Sequence, residues 1–138
     1  MLLGVYSDAS GSPSSQLGAT AATTVNASEG WQTVNLSSPV SVTSGQTVWL
    51  AWIFENSTEV RVENGTPGRA KSSETWSGSM PSAFGASSIA GIKYSIYCSY
   101  TTSGTESGTA SNLGYTDVYS RTISISSASR AMPVTFNE

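Results

Sequence analysis

Residues 43–56, TSGQTVWLAWIFEN, decide the fold. The Ser44-Gly45 turn signal is followed by apolar and β-favouring residues, and then by the polar run Glu55-Asn56-Ser57, the pattern of a long strand between two turns. Side chains alternate faces along a strand, so Val48, Leu50, Trp52 and Phe54 share one face and Thr47, Trp49, Ala51 and Ile53 the other. The two indoles therefore point in opposite directions. A strand with one core face alternates apolar with polar; here both faces are apolar. One face thus carries either a second packing layer or an aromatic surface kept for a ligand.

Outward from this stretch, residues 2–6 read as a short strand ended by the turn-rich run Ser7-Asp8-Ala9-Ser10-Gly11-Ser12-Pro13. Residues 20–25 and 31–36 are β candidates, the second with Val34 and Leu36 inward. Val60-Arg61-Val62-Glu63 is short and charged on one face, as an edge strand is, and Asn64-Gly65-Thr66-Pro67-Gly68 reads as a tight turn. Residues 72–91 form a long loop containing Trp76, Met80 and Phe84, followed by a strand over 93–100. Residues 101–111, TTSGTESGTAS, read as a flexible linker, and residues 115–119, 122–125 and 132–136 as further strands. No segment has a helical apolar period capped at both ends. The expectation is an all-β protein without substantial helix, a β-sandwich of jelly-roll type.

Size allows one domain with a real core. Only 11% of the residues are charged and the net charge is -3, so no basic footprint exists for nucleic acid or an anionic membrane. No run reaches the roughly 18 apolar residues of a membrane helix. Met1 abuts a strand, which reads as a module excised from a longer chain. The Ser/Thr/Gly-rich composition suits a secreted, extracellular β-domain; the single Cys98, in phase with Ile96, reads as a buried structural thiol.

There is no histidine, which excludes Ser-His-Asp and Cys-His triads and His-ligated zinc. Asp8, Glu55, Glu63, Glu74 and Asp117 could in principle supply a glycosidase pair, but their spacing gives no support, and solvated surface acids account for them. Asp8, Ser10 and Gly11 lack the further acids of a calcium turn; an Asx-turn explains them. No catalytic residue, metal or cofactor is expected. Four Trp and six Tyr in so uncharged a chain suit sugar, whose C–H face stacks on aromatic rings while its hydroxyls bond planar polar side chains. The candidates are Trp76, whose neighbours offer it no periodic core; Trp52, with Glu55 and Asn56 just beyond it; Trp49; Tyr97; and Arg69 with Lys71, which share a face. Packing is the competing explanation: a loop indole folded over the core for Trp76, core positions for Trp52 and Trp49. Arg69 and Lys71 could equally keep an edge soluble. Trp31 is assigned to the core.

The words LGVYSDASGSPSSQLG, GWQTVNLSSPVSVTSGQTVWLAW, GTPGRA and YSIYCSY together resemble β-sandwich modules appended to secreted bacterial polysaccharide-degrading enzymes. They are similar to the β-glucan-binding modules of carbohydrate-binding module family 81. The resemblance implies non-catalytic binding of a plant β-glucan (cellulose-like, mixed-linkage or xyloglucan) that targets a linked enzyme; the alternative is a structural spacer or adhesion sandwich. It covers residues 2–100. In modules of this type a segment similar to 115–138 comes before the part similar to Leu2. The expected organisation is a main module over 1–100, a linker over 101–111, and strands over 112–138 that are permuted or belong to an adjoining repeat. An unfilled sheet edge would invite strand exchange and a homodimer.

Overall fold

The structure, a computed structural model, describes residues 1–101, 107–111, 121–125 and 129–136. Among them are nine strands and no helix: β1 (Leu2–Asp8), β2 (Pro13–Ala19), β3 (Thr47–Ile53), β4 (Thr58–Ser72), β5 (Ser87–Tyr94), β6 (Tyr97–Thr101), β7 (Ser107–Ser111), β8 (Arg121–Ile125) and β9 (Arg130–Thr135). The protein is all-β. Seven strands form one antiparallel sheet in the order β2-β1-β3-β9-β4-β5, with β8 also on β4; β6 and β7 make a separate two-stranded ribbon.

β3 is the decisive stretch, and both its edges and both its faces are covered. β1 runs along one edge from Leu2↔Ile53 to Ser7↔Val48, and β9 along the other from Thr47↔Thr135 to Trp52↔Arg130. Val48, Leu50, Trp52 and Phe54 join Val5, Val62, Tyr94, Met132 and Val134 in one hydrophobic cluster. Trp49, Ala51 and Ile53 join Leu2, Tyr6, Ala70, Met80, Phe84 and Ala131 in a second, on the opposite face. Pro133 lies opposite Trp49, and the β4 ladder on β9 stops at Ala131, before this residue that has no N–H to donate.

β4 departs most from the sequence reading. Instead of an edge strand followed by a turn, it is a 15-residue strand inside the sheet. Its first half pairs with β8 (Thr58↔Ile125 to Val62↔Arg121) and its last residues with β9 (Ala70↔Ala131, Lys71↔Arg130), while β5 covers its other edge. Chain geometry requires it to bend. Lys71 lies two strands from Trp52, about 10 Å away, and Thr58 is six residues beyond Trp52, about 20 Å at most. A straight strand from Thr58 to Lys71 would span about 43 Å, more than those two reaches combined. The bend falls between Asn64 and Arg69, which pair with Ile92 and Ala90, so five steps along β4 match two along β5. The GTPG run is thus a corner within a strand. Gly68 packs against β5 there: a Cβ on it would lie 2.1 Å from the Ala90 carbonyl oxygen.

Other boundaries also move. The first turn is confined to residues 9–12, where Ala9 and Ser12 exchange backbone hydrogen bonds and Ser10 and Gly11 take φ of 54° and 80°. β2 follows at once, over residues that the sequence reading, with its turn at 7–13 and its next strand at 20–25, left unassigned apart from Pro13. Residues 20–25 and 31–36 form no strand and share the single β-bridge Thr20↔Leu36. The strand expected over 93–100 is broken at Ser95-Ile96, between β5 and β6. Half of the expected linker, 107–111, is β7, because a ladder needs only backbone groups and Ser, Gly and Thr supply them as well as apolar residues do. β8 and β9 lie where strands were expected and join the sheet that holds β1–β5; the strand expected over 115–119 lies outside the described residues.

Two consequences can be measured. Gly68→Ala should cost about 1–3 kcal/mol, the range for forcing extra atoms into a packed site, seen as a lower urea midpoint with unchanged slope; an unchanged midpoint would mean that β4 and β5 do not approach this closely. Tyr6 is fully buried, donates its hydroxyl to Pro81 O at 2.6 Å and meets Phe84 edge-on. Burial, helped by the Glu74 charge, pushes its pKa from 10.0 to about 12. The folded state therefore holds this proton more tightly than the unfolded chain. Its contribution is complete below pH 10 and disappears as pH rises towards 12, so Tm should fall more steeply over that interval in wild type than in Tyr6→Phe.

Candidate ligand-binding site

β3 ends at Ile53, Phe54 remains buried, and Glu55-Asn56-Ser57 turn outward before β4 begins at Thr58. This short connection forms one wall of a hollow of about 410 Å³. Trp76, carried on the segment between β4 and β5, lines the same hollow with Met1, Thr23, Thr24 and Val25. Its indole is half-buried, resting also against the second cluster. The chain's amino terminus donates to Thr23 O at 2.6 Å and fixes the far wall. Three residues singled out from the sequence, Trp76, Glu55 and Asn56, thus converge.

A second hollow of about 490 Å³ adjoins the first, sharing Met1, Val25, Phe54 and Thr58. Its apolar lining includes Leu3, Val5, Leu50 and Trp52, and its polar lining Gln32, Asn35, Glu59 and Ser99. Trp31 and Tyr97, which also line it, meet edge-on at 4.9 Å, and Tyr97 hydrogen-bonds Thr33. The segment bearing Trp31 has no ladder; side chains hold it. Gln32 bonds backbone groups of Thr24 and Asn26 at 2.8 and 2.9 Å, and the Glu29–Arg61 ion pair ties the preceding turn to β4.

The tryptophans correct the sequence reading. Trp31, assigned to the core, is 50% exposed. Trp52 and Trp49, both candidate sugar platforms, are 3% and 2% exposed and offer no open ring face for stacking. Trp49 lies on the face opposite Trp52, and its Nε1 donates to Asp8 Oδ1 at 2.7 Å. Asp8 Oδ2 also accepts the Gly11 N–H, so this carboxylate closes a turn and caps an indole. Cys98 is partly buried against the first cluster.

Arg69 and Lys71 line neither hollow. The registers Trp52↔Arg130 and Lys71↔Arg130 place Trp52, Arg130 and Lys71 in a row across β3, β9 and β4, on the face of the first cluster, and Arg69 shares that face two residues before Lys71. Tyr94 stands edge-on to Trp52 at 4.6 Å and hydrogen-bonds Arg130. Burial lowers the Arg130 pKa, Tyr94 opposes that shift, and the neighbouring Arg69 charge adds to it. Sequence reasoning missed Arg130, although a signal was present: it alternates in phase with Met132, Val134 and Phe136, all core residues.

Among the described residues, no group of three or more His, Cys, Asp or Glu could hold a metal ion. Glu63 is paired with Lys93 at 2.9 Å and Glu55 is exposed. Comparison of the chain with family models, with curated proteins and with solved structures finds no match.

The accessibility of the indoles can be checked directly. In acrylamide quenching of four single Trp→Phe variants, Trp31→Phe should remove the largest quenchable fraction and Trp76→Phe a smaller one. Trp49→Phe and Trp52→Phe should remove almost none; a strongly quenched Trp52 would contradict its placement in the core.

Proposed function

We propose that the protein is a non-catalytic carbohydrate-binding module, a β-sandwich that holds a β-glucan chain along the two adjoining hollows. Such a module, secreted and linked to a polysaccharide-degrading enzyme, raises that enzyme's local concentration at its substrate. The observation that carries this reading is that Trp76 converges with Glu55 and Asn56 in one hollow, while the exposed Trp31, braced edge-on by Tyr97, lines the hollow beside it. Aromatic faces receive the C–H side of a pyranose, and the Thr, Asn, Gln and Glu side chains between them match its hydroxyls. Two adjoining hollows suit a ligand longer than one sugar unit.

Affinity electrophoresis in soluble β-glucan, xyloglucan and xylan tests it. Wild type should be retarded, and Trp76→Ala and Trp31→Ala should each weaken binding about five- to tenfold, the loss expected when a ring contact and its buried area are removed. No retardation by any polysaccharide would favour the spacer or adhesion reading, in which every aromatic serves packing. Release of reducing sugar would return the glycosidase reading.

A further inference from the structure

Three of the chain's six cations, Arg69, Lys71 and Arg130, occupy one face of β4 and β9 beside Trp52. Several donors in this group are buried without an acceptor: Trp52 Nε1, and Nε and Nη1 of Arg69. Arg130 is itself 4% exposed and engages Tyr94 and the Ser129 carbonyl. The ion pairs among the described residues, Arg61–Glu29 and Lys93–Glu63, leave Arg69 and Lys71 aside. Buried N–H groups are almost always satisfied, and a buried cation without a counter-charge is more costly still. The missing partner is an acceptor with negative charge.

Trp52 lines the second hollow, so the row begins at that hollow and ends at the exposed Lys71. Guanidinium N–H groups make charge-assisted hydrogen bonds to carboxylate oxygens, and Arg69 leaves its Nε and Nη1, on different edges of the group, without partners. We propose that Trp52, Arg69, Lys71 and Arg130 form a subsite for the carboxylate of an acidic sugar, so that the module takes a glycan carrying uronic acid units in preference to a wholly neutral one. The identification of the carboxylate's carrier as a sugar rests on the carbohydrate-binding reading above; the anion subsite itself rests on the unpartnered donors alone.

The experiment follows the four indole N–H resonances in ¹H–¹⁵N spectra of the whole chain, with Trp52 assigned by Trp52→Phe, during titration with glucuronate-bearing xylo-oligosaccharide, neutral cello-oligosaccharide, free glucuronate and inorganic phosphate. The acidic oligosaccharide should shift the Trp52 resonance and bind about tenfold more tightly than the neutral one, with the preference shrinking as salt rises. Arg69→Gln should abolish the Trp52 shift. Lys71→Gln, at an exposed position that folding tolerates, should reduce the preference by several-fold, and thermal melts of both variants separate loss of binding from loss of fold. Equal binding of acidic and neutral oligosaccharides, with the Trp52 resonance unmoved, would overturn the subsite and leave the carbohydrate reading standing. A Trp52 shift with free glucuronate but with neither oligosaccharide would uphold the anion subsite and remove the reading of the protein as a binder of glycan chains. A shift with phosphate as large as that with glucuronate would overturn the assignment to a carboxylate.

Discussion

The structure depends on β3 being enclosed on both edges and both faces. Its edges are taken by β1 and β9, and its faces feed two separate hydrophobic clusters. Burying a large apolar side chain contributes about 1.5–3 kcal/mol, and β3 with Phe54 supplies Val48, Trp49, Leu50, Trp52, Ile53 and Phe54 in succession. No other strand among those described contributes on both sides to this extent. The strand that completes it, β9, comes from the far end of the chain, so much of the sheet's closure rests on long-range pairing.

That closure dictates the path of β4. β3 and β4 are consecutive in sequence, yet β9 lies between β3 and the end of β4. The short connection after Ile53 starts β4 close by, and β4 must then return to the other side of β9 by its fifteenth residue. The corner between Asn64 and Arg69 is the solution, and Gly68 permits β5 to follow at contact distance. The same connection puts Glu55 and Asn56 at the first hollow. The geometry of the site is therefore a by-product of how β4 gets around β9.

This also explains what was legible in the sequence. The parity of β3 is local, set by alternation alone, and the observed clusters follow it residue for residue. Trp76 and, separately, Glu55 and Asn56 beside Trp52 were picked out by local cues, a tryptophan without periodic neighbours and a polar run at a strand end; that the three line one hollow depends on the tertiary fold and was not legible. The corner in β4 was not legible: Asn-Gly and Pro-Gly are turn signals, and only the distant partners β8 and β9 convert that turn into a bend within a strand. Trp31 failed for a related reason. Residues 31–36 alternate as a strand does, but they find only one bridge, so the alternation does not decide which side chains are buried. Trp52 was placed beside a site for its neighbours in sequence; it lines the second hollow, but its ring is buried among the core residues.

The row Trp52, Arg130, Lys71, with Arg69 beside it, is where local and global demands disagree. A chain with so few charges would gain stability by filling these positions with aliphatic side chains, because replacing buried charges with well-packed apolar groups is often neutral or stabilising. Arg130 stands in phase with Met132, Val134 and Phe136, where a hydrophobic residue would extend the core. Solubility does not explain it, since Arg130 is buried. Edge protection does not explain it either, since β9 is an interior strand with β3 and β4 on its two sides. Positions at which a sequence departs from its own pattern without structural return are those where function is the better explanation. The two explanations differ in what they require of the neighbours: a structural arginine needs only its own hydrogen bonds, and Arg130 has them from Tyr94 and Ser129. It does not need a second guanidinium and an indole N–H beside it with their donors unmet, and that surplus of donors is what an incoming acceptor would use.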